Sequence, residues 1–140
     1  MMLLLLTLDA AARPTDFSGL FSFDESDTIE TLDGEKGLVR IWYSVDGPNQ
    51  TQLEDDDANG IPDFVETTLA TTEGALELYE SLGFRLPLGD EGAGGSDAFD
   101  AYLVDFDGLG DGAFTPESCT TVGTASQCSG YFAMENDFSG

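Results

Sequence analysis

The stretch DDDANGIPDFVE, residues 55–66, decides the fold of this chain, because it joins an acidic loop to the start of the most regular helical pattern. It places five carboxylates and one Asn around a Gly-Ile-Pro turn. Carboxylates this close repel one another unless a positive charge lies among them. The whole chain has only four Lys plus Arg and no His, so a bound cation is the natural counter-charge.

The spacing of oxygen-bearing residues in this stretch matches a calcium loop. If Asp55 is position 1 of a twelve-residue loop, the remaining ligand positions of an EF-hand-type loop are also filled. Gly60 permits the bend, Ile61 offers its backbone carbonyl and Glu66 can close the shell with both carboxylate oxygens. The alternative is an acidic loop that only caps a helix. The predicted calcium ligands are Asp55, Asp57, Asn59, Ile61, Asp63 and Glu66.

Two features separate the stretch from a paired EF-hand. The preceding residues 47–54, GPNQTQLE, are turn-like and predict no entering helix. Pro62 occupies position 8, where paired loops bridge through a backbone N–H that Pro lacks. We therefore expect a lone loop followed by one helix, similar to the Asp-rich calcium repeats of thrombospondin type 3 and dockerin modules. Its dissociation constant would be on the order of 10⁻⁴ M.

A second acidic stretch, DFDGLGDG at residues 105–112, is a weaker metal candidate. Asp105, Asp107 and Asp111 could share a cation, but their spacing matches no calcium loop. Asp-Gly pairs are common in turns, so a turn is the favoured interpretation.

The patterns around these loops predict an α+β fold, with a small mixed sheet packed on one long helix. Residues 38–45 alternate as a strand, and residues 99–106 are apolar on both faces, which is typical of a central strand. Residues 107–117 predict a turn or a short hairpin, and residues 130–138 predict a third strand. A helix is predicted over residues 62–82, with Gly83 after its end. Its apolar stripe is Ile61, Val65, Leu69, Thr72, Leu76 and Tyr79.

Composition narrows the possible partners. The net charge is -24, from 28 acidic and 4 basic residues, so phosphate backbones and anionic lipid would be repelled and we expect neither nucleic acid nor a membrane surface as a partner. Two explanations of this charge compete: cation binding explains a few clustered Asp, and an acidic surface suited to high salt is expected to explain most of the rest. Hydrophobic residues make up 41%, enough for a core, and we expect a monomer.

The first 37 residues predict a signal-like segment followed by an acidic arm of weak structure. Residues 1–6 are apolar and residues 10–12 are all Ala, as in a secretory signal, although the basic start of such a signal is missing. A plain N-terminal strand is the alternative. Cys119 and Cys128 flank a loop of small residues and predict a disulfide, with two free thiols as the alternative. Together these features favour a secreted or extracellular protein.

Residues 38–140 resemble a family of secreted bacterial zinc metalloproteases of the zincin class, first named from a myxobacterial member. The resemblance implies an N-terminal portion that lacks the HExxH helix, so it carries over no catalytic residue and no zinc ligand. It also implies that the long helix backs the sheet and that the strand from Gly130 is an edge strand beside which a peptide or protein substrate lies. The segments that carry it are VRIWYSVDGP, DDDANGIPDFVE, LYESLGFRLP, FDAYLVDF and GYFAMENDFSG.

Two functions remain open at this point. In the first, the chain is the non-catalytic part of a calcium-stabilised zinc metallopeptidase, and zinc would require residues beyond 140. In the second, it is a complete extracellular calcium-binding structural or adhesion module without enzymatic activity. Calcium binding is expected of both, so continuation of the polypeptide beyond Gly140 is what separates them.

Overall fold

A five-stranded mixed sheet and one long helix form the fold, which confirms the α+β prediction. The computed structural model describes residues 12–138. The sheet order is β1-β2-β3-β5-β4. Strands β2, β3 and β5 are parallel, whereas β1 and β4 pair antiparallel at the two edges. The elements are β1 (Ile29–Asp33), β2 (Val39–Ser44), α1 (Asp63–Ser81), β3 (Phe99–Val104), β4 (Gly112–Val122) and β5 (Ala125–Glu135).

Strand β3 is central, as its two apolar faces predict. Ala101 and Leu103 pack on the α1 side of the sheet, whereas Tyr102 and Val104 pack on the opposite side. Side chains of a strand alternate between faces, so one strand contributes to both cores. The sheet therefore separates two apolar clusters.

Helix α1 covers one half of the sheet. It packs mainly against β2, and Val65 is fully buried there. The C-terminal end of the predicted apolar stripe is not buried, since Tyr79 is 54% exposed. The chain does turn back after Gly83, since the Phe84 N–H donates to the Tyr79 carbonyl at 3.0 Å and the two rings meet edge to face.

The segment before β2 corrects the prediction of weak structure for residues 13–37. It contains a 3-10 turn, Pro14–Asp16, and strand β1, which pairs with β2. Phe23 is 2% exposed and packs in the cluster opposite α1, and the Phe21 ring stacks on Phe106. The apolar residues that cover this face are few and irregularly spaced, so hydrophobic periodicity did not indicate the ordered segment.

The C-terminal half of the chain also differs from its prediction. Residues 112–135 form a long antiparallel hairpin, in place of the predicted turn with a short hairpin. The strand predicted at residues 130–138 is present as the second half of β5, which begins earlier, at Ala125, and ends at Glu135. Strand β5 lies between β3 and β4, so the expected edge position belongs to β4. The outer half of β4 is polar and exposed, which hides it from a search for apolar alternation. Cys119 and Cys128 are cross-strand partners in this hairpin and form the predicted disulfide.

The signal-like residues 1–11, including Ala10 and Ala11, lie outside the described residues, as do Ser139 and Gly140. Between residues 12 and 138, no helix combines the length and apolarity required to cross a membrane.

Candidate metal centre

The start of the acidic loop is hydrogen-bonded to the N-terminus of α1. Pro62 is the residue before the helix, and the N–H of Asp63 donates to the Glu54 carbonyl at 2.8 Å. The Asp63 carboxylate in turn accepts the N–H of Asp56 at 3.1 Å. Both ends of the loop thus meet at Asp63, at the N-terminus of α1. The positive end of the helix dipole favours negative charge there.

Three of the predicted ligands converge in the structure. One carboxylate oxygen from each of Asp55, Asp57 and Asp63 lies within 4.8 Å of the others. Two oxygens bound to one calcium ion, each about 2.3–2.6 Å from it, cannot lie more than about 5 Å apart. The observed separation therefore permits a shared cation without large movement of the chain.

Two further predicted ligands lie beside this cluster. The side-chain amide nitrogen of Asn59 donates to Glu66 at 2.9 Å and to Asp57 at 3.2 Å. The Asn59 side-chain oxygen accepts the N–H of Ile61 at 2.7 Å. Asn59 thus presents its partly positive nitrogen to two carboxylates, in the role that a cation would fill more strongly. Glu66 is held at the loop through Asn59, outside the three-Asp cluster.

Backbone donors favour the ionised form of Asp55, the first predicted ligand. The Asp55 carboxylate accepts the N–H of Gly60 at 2.8 Å and of Asn59 at 3.1 Å. These hydrogen bonds, that from Gly60 first, lower the pKa of Asp55. The bend that brings the N–H groups inward uses left-handed backbone at Ala58 (φ 57°) and Gly60 (φ 90°).

The sixth predicted ligand residue, Ile61, connects the loop to the core. Its side chain is half-buried and packs against the cluster that contains Val65 and Ile41. A shift of the loop backbone would therefore also move the Ile61 side chain, which packs in the cluster between α1 and the sheet.

The donor set fits a hard cation. The three converging groups are carboxylates, and neither His nor Cys is among them. Oxygen ligands suit calcium or magnesium, whereas zinc in structural sites is held mainly by sulfur and nitrogen. The three carboxylates can therefore bind a divalent cation and fix the N-terminus of α1 relative to the loop.

The second acidic stretch has the geometry of a turn. Asp105 accepts the N–H of Asp107 at 2.7 Å through its own side chain, which is an Asx turn. Asp107 has left-handed backbone, with φ 55°. These residues and Asp111 line an open cavity of about 520 Å³. Within residues 12–138, the grouping of three potential ligands that meets the distance condition is the one at Asp55, Asp57 and Asp63.

Sequence reasoning missed a buried ionic cluster around Arg13, which is 7% exposed. Its guanidinium donates to both carboxylate oxygens of Glu117 at 2.7 and 2.6 Å, to Asp90 at 2.5 Å and to Asp100. Burial raises the pKa of Asp100, against the hydrogen bonds that it accepts from Trp42 and Arg13. The one available signal was that Arg13 is among only four basic residues in a strongly acidic chain.

Comparisons of the chain with protein-family models, with curated protein sequences and with solved structures gave no match.

Proposed function

We propose that this chain is a calcium-stabilised domain of an exported protein, in which the loop at residues 55–66 fixes the N-terminus of α1 against the sheet. The observation that carries this proposal is the convergence of carboxylate oxygens from Asp55, Asp57 and Asp63 within 4.8 Å. Asp55 and Asp57 belong to the loop, whereas Asp63 is the first residue of α1. A cation bound to all three would join the loop to the helix.

The energetic consequence is calcium-dependent folding. A cation that binds the folded chain and not the unfolded chain stabilises the fold by RT ln(1 + [L]/Kd). At a calcium concentration one hundred times the dissociation constant, the gain is about 2.7 kcal/mol. Small domains have only a small free energy of unfolding, so this gain would be a large part of it.

The larger protein would be a zinc metallopeptidase, of which this chain is the N-terminal, non-catalytic portion. Support comes from the ordered segments that resemble that family and from a mixed sheet with one helix on one face. An extended peptide substrate would pair with one of the two edge strands, β1 or β4, and not with β5, which is paired on both sides. Zinc and its catalytic ligands would come from residues beyond 140.

The second candidate is a calcium-binding structural or adhesion module. It needs no zinc ligand, in agreement with the lack of His in the 140-residue sequence, whereas the peptidase would need His from residues beyond 140. Sequencing of the gene past the Gly140 codon separates the two. A reading frame that continues into HExxH supports the peptidase, and an immediate stop codon supports the module.

Thermal unfolding in calcium and in chelator tests the shared part of both candidates. The wild type should unfold at a higher temperature in calcium, and Asp55→Ala should remove this difference. Asp56→Asn is the matched control, because it also removes one negative charge from the loop but lies outside the predicted ligand positions. Equal melting of wild type and Asp55→Ala under both conditions would reject the site.

A further inference from the structure

The Asn59–Gly60 pair combines a reactive sequence with an open position. In an Asn-Gly pair the backbone nitrogen of Gly can attack the side-chain carbon of Asn, because Gly has no side chain to obstruct the approach. Both residues are exposed, and Gly60 has left-handed backbone with φ 90°. A Cβ atom added at Gly60 would meet no residue other than its two chain neighbours within 4 Å. This peptide is therefore open to water.

A backbone donor polarises the side-chain carbonyl of Asn59. Its oxygen accepts the N–H of Ile61 at 2.7 Å, which closes an Asx turn around the Gly60 peptide. When a nucleophile adds to the side-chain carbon, negative charge develops on this oxygen. An N–H already aimed at the oxygen stabilises that charge. The Ile61 N–H is thus placed as an oxyanion donor.

A carboxylate holds the attacking nitrogen. The N–H of Gly60 donates to Asp55 at 2.8 Å, and the N–H of Asn59 donates to the other oxygen of the same carboxylate at 3.1 Å. A carboxylate within hydrogen-bond distance of an N–H is in position to accept its proton. Nucleophile, proton acceptor and oxyanion donor thus surround one amide, which is the arrangement that acyl transfer requires.

We propose that Asn59 is a self-modification site, at which the cation-free loop converts the side-chain amide to a carboxylate through a cyclic imide. The Gly60 nitrogen bonds to Cγ of Asn59, and its proton passes through Asp55 to solvent. The bond from Cγ to Nδ2 breaks, and that nitrogen takes up a proton and leaves as ammonia. Water then opens the imide at either carbonyl, which yields Asp or isoaspartate at position 59. Water is the one co-reactant.

Calcium should suppress this reaction. The Asn59 side-chain oxygen and Asp55 are both predicted ligands, so a bound cation would hold the amide away from Gly60 and occupy the proton acceptor. Cation-free chains alone would react, and these are about one in a hundred at a calcium concentration one hundred times the dissociation constant. The suppression rests on the proposed calcium site, whereas the reaction itself does not.

The product changes the loop permanently. An Asp at position 59 lacks the amide N–H groups that Glu66 and Asp57 now accept, and it adds a negative charge. Isoaspartate also lengthens the main chain by one carbon, which moves the later ligand positions out of their spacing. A period without calcium is thereby recorded in the covalent structure of the loop.

Peptide mapping by mass spectrometry tests the proposal. The full chain is incubated at neutral pH in chelator and in calcium, and the loss of the amide at each Asn is followed with time. Asn59 should be converted in chelator, and saturating calcium should slow the conversion by about 10- to 100-fold. Asn49 and Asn136 are internal controls, because both are buried and neither precedes Gly. An intact Asn59 in chelator, or equal conversion at all three Asn, would overturn the proposal.

The calcium arm separates this proposal from the calcium site. Conversion of Asn59 at the same rate in chelator and in calcium would support the modification and reject its control by calcium. Conversion in chelator that calcium suppresses supports both.

Two variants measured in chelator test the geometry without any cation. Asp55→Ala removes the acceptor of the Gly60 N–H and should slow conversion of Asn59 by about tenfold or more. Asp56→Ala removes the same charge from the loop without removing that acceptor, so it should leave the rate unchanged. Equal rates in the two variants would overturn the role of Asp55, and with it the geometric basis of the proposal.

Discussion

The side-chain amide of Asn59 donates to Glu66 at 2.9 Å and thereby joins the middle of the acidic loop to the first turn of α1. The same nitrogen contacts Asp57 at 3.2 Å. In the absence of a cation this one group offsets part of the repulsion between two carboxylates. Calcium would replace it, because a divalent ion attracts both more strongly than an amide dipole does.

Asn59→Asp should therefore have opposite effects in the two conditions. Without calcium it removes the amide donor and adds a charge, so the melting temperature should fall by several degrees. With saturating calcium it supplies another ligand oxygen, so the melting temperature should be retained or raised. Differential scanning calorimetry in chelator and in calcium measures both. A fall of equal size in the two conditions would contradict a cation at Asn59.

Glu66→Ala tests the helix side of the same contact. It removes the acceptor of the Asn59 amide and the predicted bidentate ligand, so most of the calcium-dependent rise in melting temperature should disappear. Glu80→Ala is a suitable control, because Glu80 lies exposed near the other end of α1. A calcium response that survives Glu66→Ala unchanged would restrict the site to the three Asp residues.

Arg13→Ala should be among the most destabilising single substitutions. It leaves Asp90, Asp100 and Glu117 without their shared cation in a nearly dry site. Loss of one partner from a buried ion pair costs about 3–5 kcal/mol. Arg85→Ala, at an exposed Arg, should change the unfolding free energy by less than about 0.5 kcal/mol. Chemical denaturation of both variants measures the difference, and equal stabilities would contradict a structural role for the cluster.

Asp100 should give the fold a distinct pH dependence. Burial raises its folded pKa above the ordinary value of 3.8, so the folded chain holds this proton more tightly than the unfolded chain does. The contribution of Asp100 to stability is then highest in acid and is lost as the pH rises through the raised pKa. Asp100→Asn should remove this fall from the curve of unfolding free energy against pH. An unchanged slope would show that Asp100 ionises normally.

Removal of the disulfide should act mainly on the hairpin tip. The Cys119 and Cys128 side chains close a short loop at the exposed ends of β4 and β5. Loop-closure entropy predicts a loss of about 2.5–3 kcal/mol for the Cys119→Ala, Cys128→Ala double variant. Hydrogen exchange should accelerate most between residues 116 and 130. Uniform acceleration through β2 and β3 would instead show that the bridge stabilises the whole sheet.

Local patterns explain what the sequence could predict. The convergence of Asp55, Asp57 and Asp63 and the helix that follows depend on residues close together in the chain, so spacing alone indicates them. The apolar residues of β3 likewise mark a strand buried on both faces. In each case the signal and the structure lie within one short segment.

Long-range contacts explain what the sequence could not predict. Arg13 meets Glu117 across 104 residues, and no local pattern connects them. Strand β4 is stabilised by its pairing with β5, while its outer residues remain exposed and polar. The edge position assigned to the strand from Gly130 was wrong for the same reason, since strand order depends on the whole chain.

Calorimetric titration of calcium into the chelator-treated protein tests the central claim most directly. We expect one site per chain, binding that is lost in Asp55→Ala and Asp63→Ala, and binding that persists in Asp56→Asn. No heat of binding in the wild type, together with identical melting temperatures in calcium and in chelator, would contradict the account of the loop as a calcium site.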